Sequence, residues 1–264
     1  MKKLSLLLAL VMLLGCLCAC GEKAPVYDEA AASARIQLDD FTVQTADGSS
    51  VTLSSLLEGK QLALINLFSV ENGASVAQLP ALAEVYGQYQ DRVAVLGLSA
   101  MEGDTQETLQ QYAEYFSLPF PVASAEGLGL EQYGATLPLS ILIDSHRNIL
   151  TVDTEGQSAA ESLAAFFDRY LRADFRLDQC RYTVIFYDAD SYEQIPGCTA
   201  TFTLGDTVQT VTSDESGVAV FTGKPGVYQV TADSTPEGYK IIAYGSYETA
   251  PYDGEHYVAL EKTN

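Results

Sequence analysis

The chain has 264 residues, 47% of them hydrophobic, and 14 Lys and Arg against 35 Asp and Glu, a formal net charge of −21. That balance excludes binding modes that track nucleic-acid phosphates, which need Lys and Arg, and it repels anionic lipid headgroups. Only two histidines are present and no Cys/His cluster has zinc spacing, so neither a metal site nor a cofactor is expected.

The first twenty residues, MKKLSLLLALVMLLGCLCAC, place Lys2 and Lys3 before an unbroken apolar run that ends in small residues, the pattern of a secretory signal. The run is short for a membrane span. Leu17, Ala19 and Cys20, followed by Gly21, resemble a bacterial lipobox, which implies that Cys20 is the lipidated first mature residue. LLGC, ending at Cys16, is a second such stretch, and a plain signal peptide is the remaining alternative. The expected location is extracytoplasmic, on the outer face of the cytoplasmic membrane of a Gram-positive bacterium. Two acyl chains would hold the protein stably there, where one would hold it marginally. Residues 1–20 carry two lysines and no acid, so the remainder has a charge of −23. Residues 21–35, GEKAPVYDEAAASAR, are polar and Ala-rich and read as a flexible tether.

From 36 to 175 the pattern alternates between strand and helix. FTVQTADGSSVTL has two alternating runs around Asp47-Gly48, a hairpin signal. QLALINLFS is dominated by apolar residues on both faces, as a buried central strand should be. Val76, Leu79, Leu82, Val85 and Tyr86 recur at spacings of three and four, which predicts a helix over 73–89. RVAVLGLS is a second buried strand, and a helix over 104–116 starts at Asp104 as its cap. LSILID and NILTVDT are two strands joined by the turn SHR, and SAAESLAAFFDRYLRADF is a closing helix. This order predicts an α/β domain: a mixed central sheet with helices on both faces. His146 stands beside Asp144 and Ser145, but neighbours in a tight turn cannot adopt triad geometry.

Residues 178–264 change style. RYTVIFYDAD, CTATFTLG, TVQTVTSD, GVAVFTG and GVYQVTAD are short, β-branched and aromatic, and are separated by Gly, Pro, Asp and Ser, which predicts an all-β sandwich. Its tyrosines read as packing residues. DADSYE and SDESG lack the ligand spacing of a calcium loop and read as solvated turns. Cys180 and Cys198 could pair in an oxidising exterior, but sequence alone cannot place their Cα atoms within disulfide range.

The first domain resembles the TlpA/ResA-like (redoxin) branch of the thioredoxin superfamily. The carrying motifs are DGSSVTLSSLLEGKQLALINLF, the stretch Asn66 to Pro80, and YGATLPLSILID, which resembles the family's cis-proline segment and so points to Pro138 after Leu137. The family's dithiol cysteines fall on Asn72 and Ser75, the preceding Trp on Glu71, and the intervening residues on Gly73 and Ala74. Exchange needs one thiolate to attack and a second thiol to resolve the mixed disulfide. Asn72 offers no nucleophile, so dithiol activity is not expected and no catalytic residue is assigned. Asn72 is a favoured N-cap. Glu71, Asn72, Gly73, Leu137 and Pro138 are the candidate walls of a retained peptide groove, and Glu71 would disfavour acidic ligands. The second domain resembles Cna-B/SpaA-type prealbumin-like modules through YDADSYEQIPGCTATF, TSDESGVAVFTGKPGVYQV and TPEGYK. Phe186 stands where that resemblance implies the lysine of an isopeptide bond, so no such crosslink is expected. The expected role is binding or scaffolding of a protein or peptide in the cell envelope. One alternative is a thiol-disulfide oxidoreductase or peroxide-related function using a partner's cysteines, and a second is a structural spacer.

Overall fold

The computed structural model describes residues 30, 34–154, 156 and 158–263. The signal segment, Cys16, Cys20 and most of the tether lie outside the described residues. Strands β1 (Thr42–Gln44) and β2 (Ser50–Thr52) form the expected antiparallel hairpin. Gly48 takes φ +84° in its turn, a conformation open to glycine. The Asp47 carboxylate accepts from the Thr45 hydroxyl and from the Ser49 backbone and hydroxyl, and these bonds hold its pKa at about 2. Thr52 then caps the short helix α1 (Leu53–Leu56).

The central sheet has the order β5-β4-β3-β6-β7. All seven residues of β3 (Leu62–Phe68) and of β4 (Val93–Ser99) are buried, as their continuous apolarity requires. These two strands run parallel, while β6 (Leu139–Asp144) and β7 (Ile149–Asp153) add antiparallel. Helix α2 (Gly73–Tyr89) and helix α4 (Ala160–Leu171) pack together on one face, over Leu64, Val95 and Leu142. Helix α3 (Gln106–Tyr115) joins that side through Leu109. The opposite face, with Ile65, Leu96 and Ile141, is covered by α1 and a 3₁₀ turn (Leu130–Tyr133). Each fully buried Leu or Ile side chain contributes about 1.5–3 kcal/mol from leaving water.

Two local expectations change, and one strand is added. Helix α3 is capped by Thr105, whose hydroxyl accepts from Thr108 N, and not by Asp104. The Asp104 carboxylate is engaged by the hydroxyls of Ser99 and Tyr112. Strand β5 (Val122–Ser124) was not legible in the sequence. Arg35, expected to end the tether, is buried and donates to the carbonyls of Leu177, Ile149 and Gln179.

The second domain is a sandwich of two four-stranded sheets. One has the order β10 (Thr207–Thr212), β9 (Thr199–Leu204), β12 (Gln229–Ser234) and β14 (Ser246–Glu248). The other has the order β11 (Val218–Gly223), β8 (Cys180–Asp188), β15 (Gly254–Lys262) and β13 (Tyr239–Ala243). Pairing is antiparallel except between β8 and β15. Tyr182, Phe202, Phe221 and Tyr228 form the aromatic core, with Phe202 and Phe221 centroids 4.7 Å apart. The hydroxyls of Tyr182 and Tyr228 donate to the Gly226 and Lys224 carbonyls, which satisfies the polar ends of these packed rings. Phe186 is fully buried in the same core.

The two domains are joined through Asp253, a buried residue between β14 and β15. Its backbone N–H donates to the Leu150 carbonyl, and its own carbonyl accepts from the Thr151 hydroxyl. Its carboxylate accepts from the Tyr170 hydroxyl at 3.2 Å and from Arg181 N at 3.1 Å, and lies 3.5 Å from the Arg169 guanidinium. Burial raises the Asp253 pKa, against the Arg181 N–H and the charges of Arg169 and Arg35, which lower it.

Candidate functional site

Strands β3 and β6 are antiparallel neighbours, with Leu67 opposite Leu139, so the turn leaving β3 and the segment entering β6 meet at one end of the sheet. The first of these turns carries Asn72, in extended backbone, with its side-chain oxygen accepting from Ser75 N at 2.9 Å. That bond satisfies one of the free N–H groups at the start of α2. Ser75 is fully buried, and its hydroxyl oxygen accepts from Ser69 N at 3.3 Å. Glu71 and Gly73 are exposed and Asn72 is half-buried. The second segment carries the expected cis peptide between Leu137 and Pro138, with Leu137 half-buried and Pro138 buried.

Residues the sequence reading passed over fill the space beneath. Asn66 on β3 donates to the Gln78 side-chain oxygen at 2.7 Å and to the Ser140 hydroxyl at 3.1 Å. All three are buried, and among the described residues the Asn66 side-chain oxygen has no partner. Gln78 interrupts the apolar series of α2 at a buried position, which was the available signal. The Ser69 hydroxyl accepts from Glu71 N at 3.1 Å and donates to the Met101 sulfur at 3.0 Å.

Gly156, at φ +73°, lies directly on the Pro138 ring, where an added Cβ would meet Pro138 Cγ at 2.5 Å and Gln78 Nε2 at 3.9 Å. Gly156→Ala is therefore expected to cost about 1–3 kcal/mol in urea unfolding, from overpacking and backbone strain together. Gly73→Ala, with open space around its Cβ, is the control and should lose nothing comparable.

Chemically, the site holds a cap, a buried hydroxyl and amides. The thiols lie elsewhere. Cys180 and Cys198 are free and buried in the sandwich, which settles against the disulfide considered from sequence. Cys180 begins β8, whereas Cys198 borders Ser213, Ile195 and so the Phe186 end of that strand. Six strand residues separate those ends by roughly 20 Å, far beyond disulfide reach. Burial pushes both thiols up to about 11, which keeps them protonated near neutrality. Asp144 uses its carboxylate to close the β6–β7 turn, accepting from His146 N, Asn148 N and the Asn148 side chain, so no triad forms with His146. In the sandwich turns, Asp214 accepts from Ser216 N and Val218 N, while Asp188, expected to be solvated, is buried and accepts from Asp190 N and Ser191 N. Among the described residues no three His, Cys, Asp or Glu side chains cluster as metal ligands, and no helix is long and apolar enough to cross a membrane.

Residues 35–154 match the AhpC/TSA family. The matched region runs from the buried Arg35 through β7, which is the thioredoxin-like α/β unit without its closing helix. No curated protein matches the chain. Among solved structures, it is similar to a thiol:disulfide interchange protein of the thioredoxin family from Chlorobium tepidum TLS, with 17% identity over 52% of this chain and 97% of that one (TM-score 0.46). It is also similar to StoA from Bacillus subtilis, with 18% identity over 49% and 97% (TM-score 0.42). Peroxidoxin BcpB from Mycobacterium tuberculosis gives 16% identity over 52% and 97% (TM-score 0.44). These likenesses cover about half of this chain.

Proposed function

We propose that the AhpC/TSA-type domain is a binding module without dithiol chemistry, in an extracytoplasmic lipoprotein anchored through Cys20. Its ligand is an extended peptide or protein segment of the cell envelope, held beside Leu137 and Pro138. The observation that carries this reading is the start of α2. Asn72 occupies the expected nucleophile position as a structural cap, and Ser75 behind it is buried and hydrogen-bonded to backbone. Glu71 and Gly73 stay exposed at the rim. Main-chain pairing would supply affinity, as in strand addition, and the Glu71 charge would disfavour acidic segments. The sandwich, which resembles prealbumin-like modules, would then position this domain relative to the membrane.

The test is a photocrosslinker placed at Gly73 in the full-length protein in cells. A specific protein adduct is expected, reduced about fivefold or more by Asn72→Lys, which adds a long charged chain at the groove. An adduct unchanged by that substitution would point to a spacer. The AhpC/TSA match favours one other reading, oxidoreductase chemistry completed by a partner's cysteines, and insulin reduction by the wild-type protein above background would establish it.

A further inference from the structure

Six of the seven arginine guanidinium groups have partners. Arg35 binds three carbonyls, Arg92 binds Gln61 and the Leu171 carbonyl, and Arg147, Arg169, Arg172 and Arg176 face Asp40, Asp253, Asp174 and Asp178. Among the described residues the Arg181 guanidinium has none, in a chain with 35 Asp and Glu. Its position explains what it is free to meet. The alternation of β8 sends Cys180, Tyr182, Val184 and Phe186 into the sandwich core, so Arg181 and Thr183 project from the outer face. There they line a cleft of about 540 Å³ whose other wall is α4, with Phe166 and Arg169. A cleft of this size between two domains is a usual place for a small ligand.

The same floor carries an unpaired acid. Glu255 on β15 is in register with Thr183, and among the described residues its exposed carboxylate has no partner either. Arg181 and Glu255 are offset by two residues along the sheet and one strand across, on the order of 8 Å between Cβ atoms. A cation and an anion share one cleft without neutralising each other, and Phe166 and Tyr257 flank them. Asp153 and Asp253 also line the cleft, which disfavours a polyanion such as a phosphate ester.

We propose that this interdomain cleft binds a zwitterionic amino acid or short peptide with an apolar side chain. The carboxylate would engage the Arg181 fork in the bidentate manner of guanidinium–carboxylate pairs, the ammonium Glu255, and the side chain Phe166 and Tyr257. The cleft shares no lining residue with the Asn72–Pro138 turn, so the two sites stand or fall separately.

Calorimetry on the full-length protein with the dipeptide Gly-Phe tests it. Saturable binding is expected, weakened about tenfold or more by Arg181→Gln, by Glu255→Gln, and by amidation of the dipeptide's carboxylate. Arg181→Lys should recover part of the loss through its retained charge. Arg181→Gln keeps the backbone N–H that donates to Asp253, and unchanged circular dichroism and melting would separate lost binding from lost folding. No saturable binding up to about 10 mM (an affinity of only about 3 kcal/mol), equal binding by Arg181→Gln, or displacement of the dipeptide by inorganic phosphate would each overturn the proposal.

Discussion

Asp253→Ala is expected to destabilise the protein by about 3–5 kcal/mol, the range found when one member of a buried, hydrogen-bonded charge set is removed. The substitution leaves the Tyr170 hydroxyl, almost fully buried, without its acceptor, takes the acceptor from Arg181 N, and removes the carboxylate facing Arg169, whose side chain is 37% exposed. For a chain of this size each kcal/mol moves the melting temperature by about 2–4 °C, so a drop of roughly 10 °C should appear in calorimetry. Because the residue joins two domains, limited proteolysis in the 172–179 connection should accelerate along with melting. A melting temperature within about 2 °C of wild type would mean that the backbone bonds to Leu150 and Thr151 hold the junction alone. The pH dependence has a definite sign. Asp253 has its pKa raised on folding above the ordinary 3.8, so the folded state holds the proton more tightly than the unfolded chain. Its contribution therefore turns unfavourable as pH rises above 3.8 and through the raised value, and vanishes below 3.8. Asp188 and Asp214, lowered by backbone N–H and Ser216 hydroxyl bonds, act oppositely and lose stability as pH falls below 3.8. As pH rises from below 3.8 to neutrality, wild type should lose stability relative to Asp253→Asn, measured by urea unfolding at both ends of that range.

What could be read from sequence depended on whether a residue's place is set by near or distant neighbours. Helix α2 begins and ends as predicted because five apolar residues keep helical spacing and Asn72 caps them locally. The central strands were legible because burial on both faces leaves a run dominated by apolar residues. Strand β5 spans three residues, too few for any periodicity to show. Asp104 and Thr105 are both good caps. The choice fell to Thr105 while Asp104 bonds Ser99 across the turn and Tyr112 one helical layer on. Arg35 looked like part of a solvated tether because its acceptors lie 114 to 144 residues away. Asp253 has no local signal in the sequence for the same reason, since Tyr170 and Arg169 meet it only after both domains have formed. At the candidate site, Asn72, Ser75, Leu137 and Pro138 were legible through a resemblance, whereas the Asn66–Gln78–Ser140 network was not. Its members are polar residues within apolar elements, and only the pairing of β3 with β6 brings them together.

Introducing Asn72→Cys and Ser75→Cys together is expected to create disulfide reductase activity on the order of tenfold or more above the wild-type background. The argument rests on where the two side chains stand. Residue 72 sits at the N-terminus of a seventeen-residue helix, and its side-chain oxygen accepts from Ser75 N. A thiolate there would gain the same donor and the helix's positive end, both of which lower a cysteine pKa. Residue 75 is fully buried one turn behind, so its thiol would stay protonated and act as the resolving group after the first has attacked. Loss of the Asn72 cap should cost about 1 kcal/mol, small enough for the variant to remain folded. The single variants should stay inactive in turnover, since each lacks half of the exchange, although Asn72→Cys alone should trap substrate as a mixed disulfide. Insulin reduction with dithiothreitol as reductant, alongside thiol counting before and after oxidation, reads all of these. If residues 72 and 75 form a disulfide in the double variant and reduction still does not rise above wild type, the surroundings of the turn do not support exchange, and the proposed binding of an extended chain beside Pro138 loses its support.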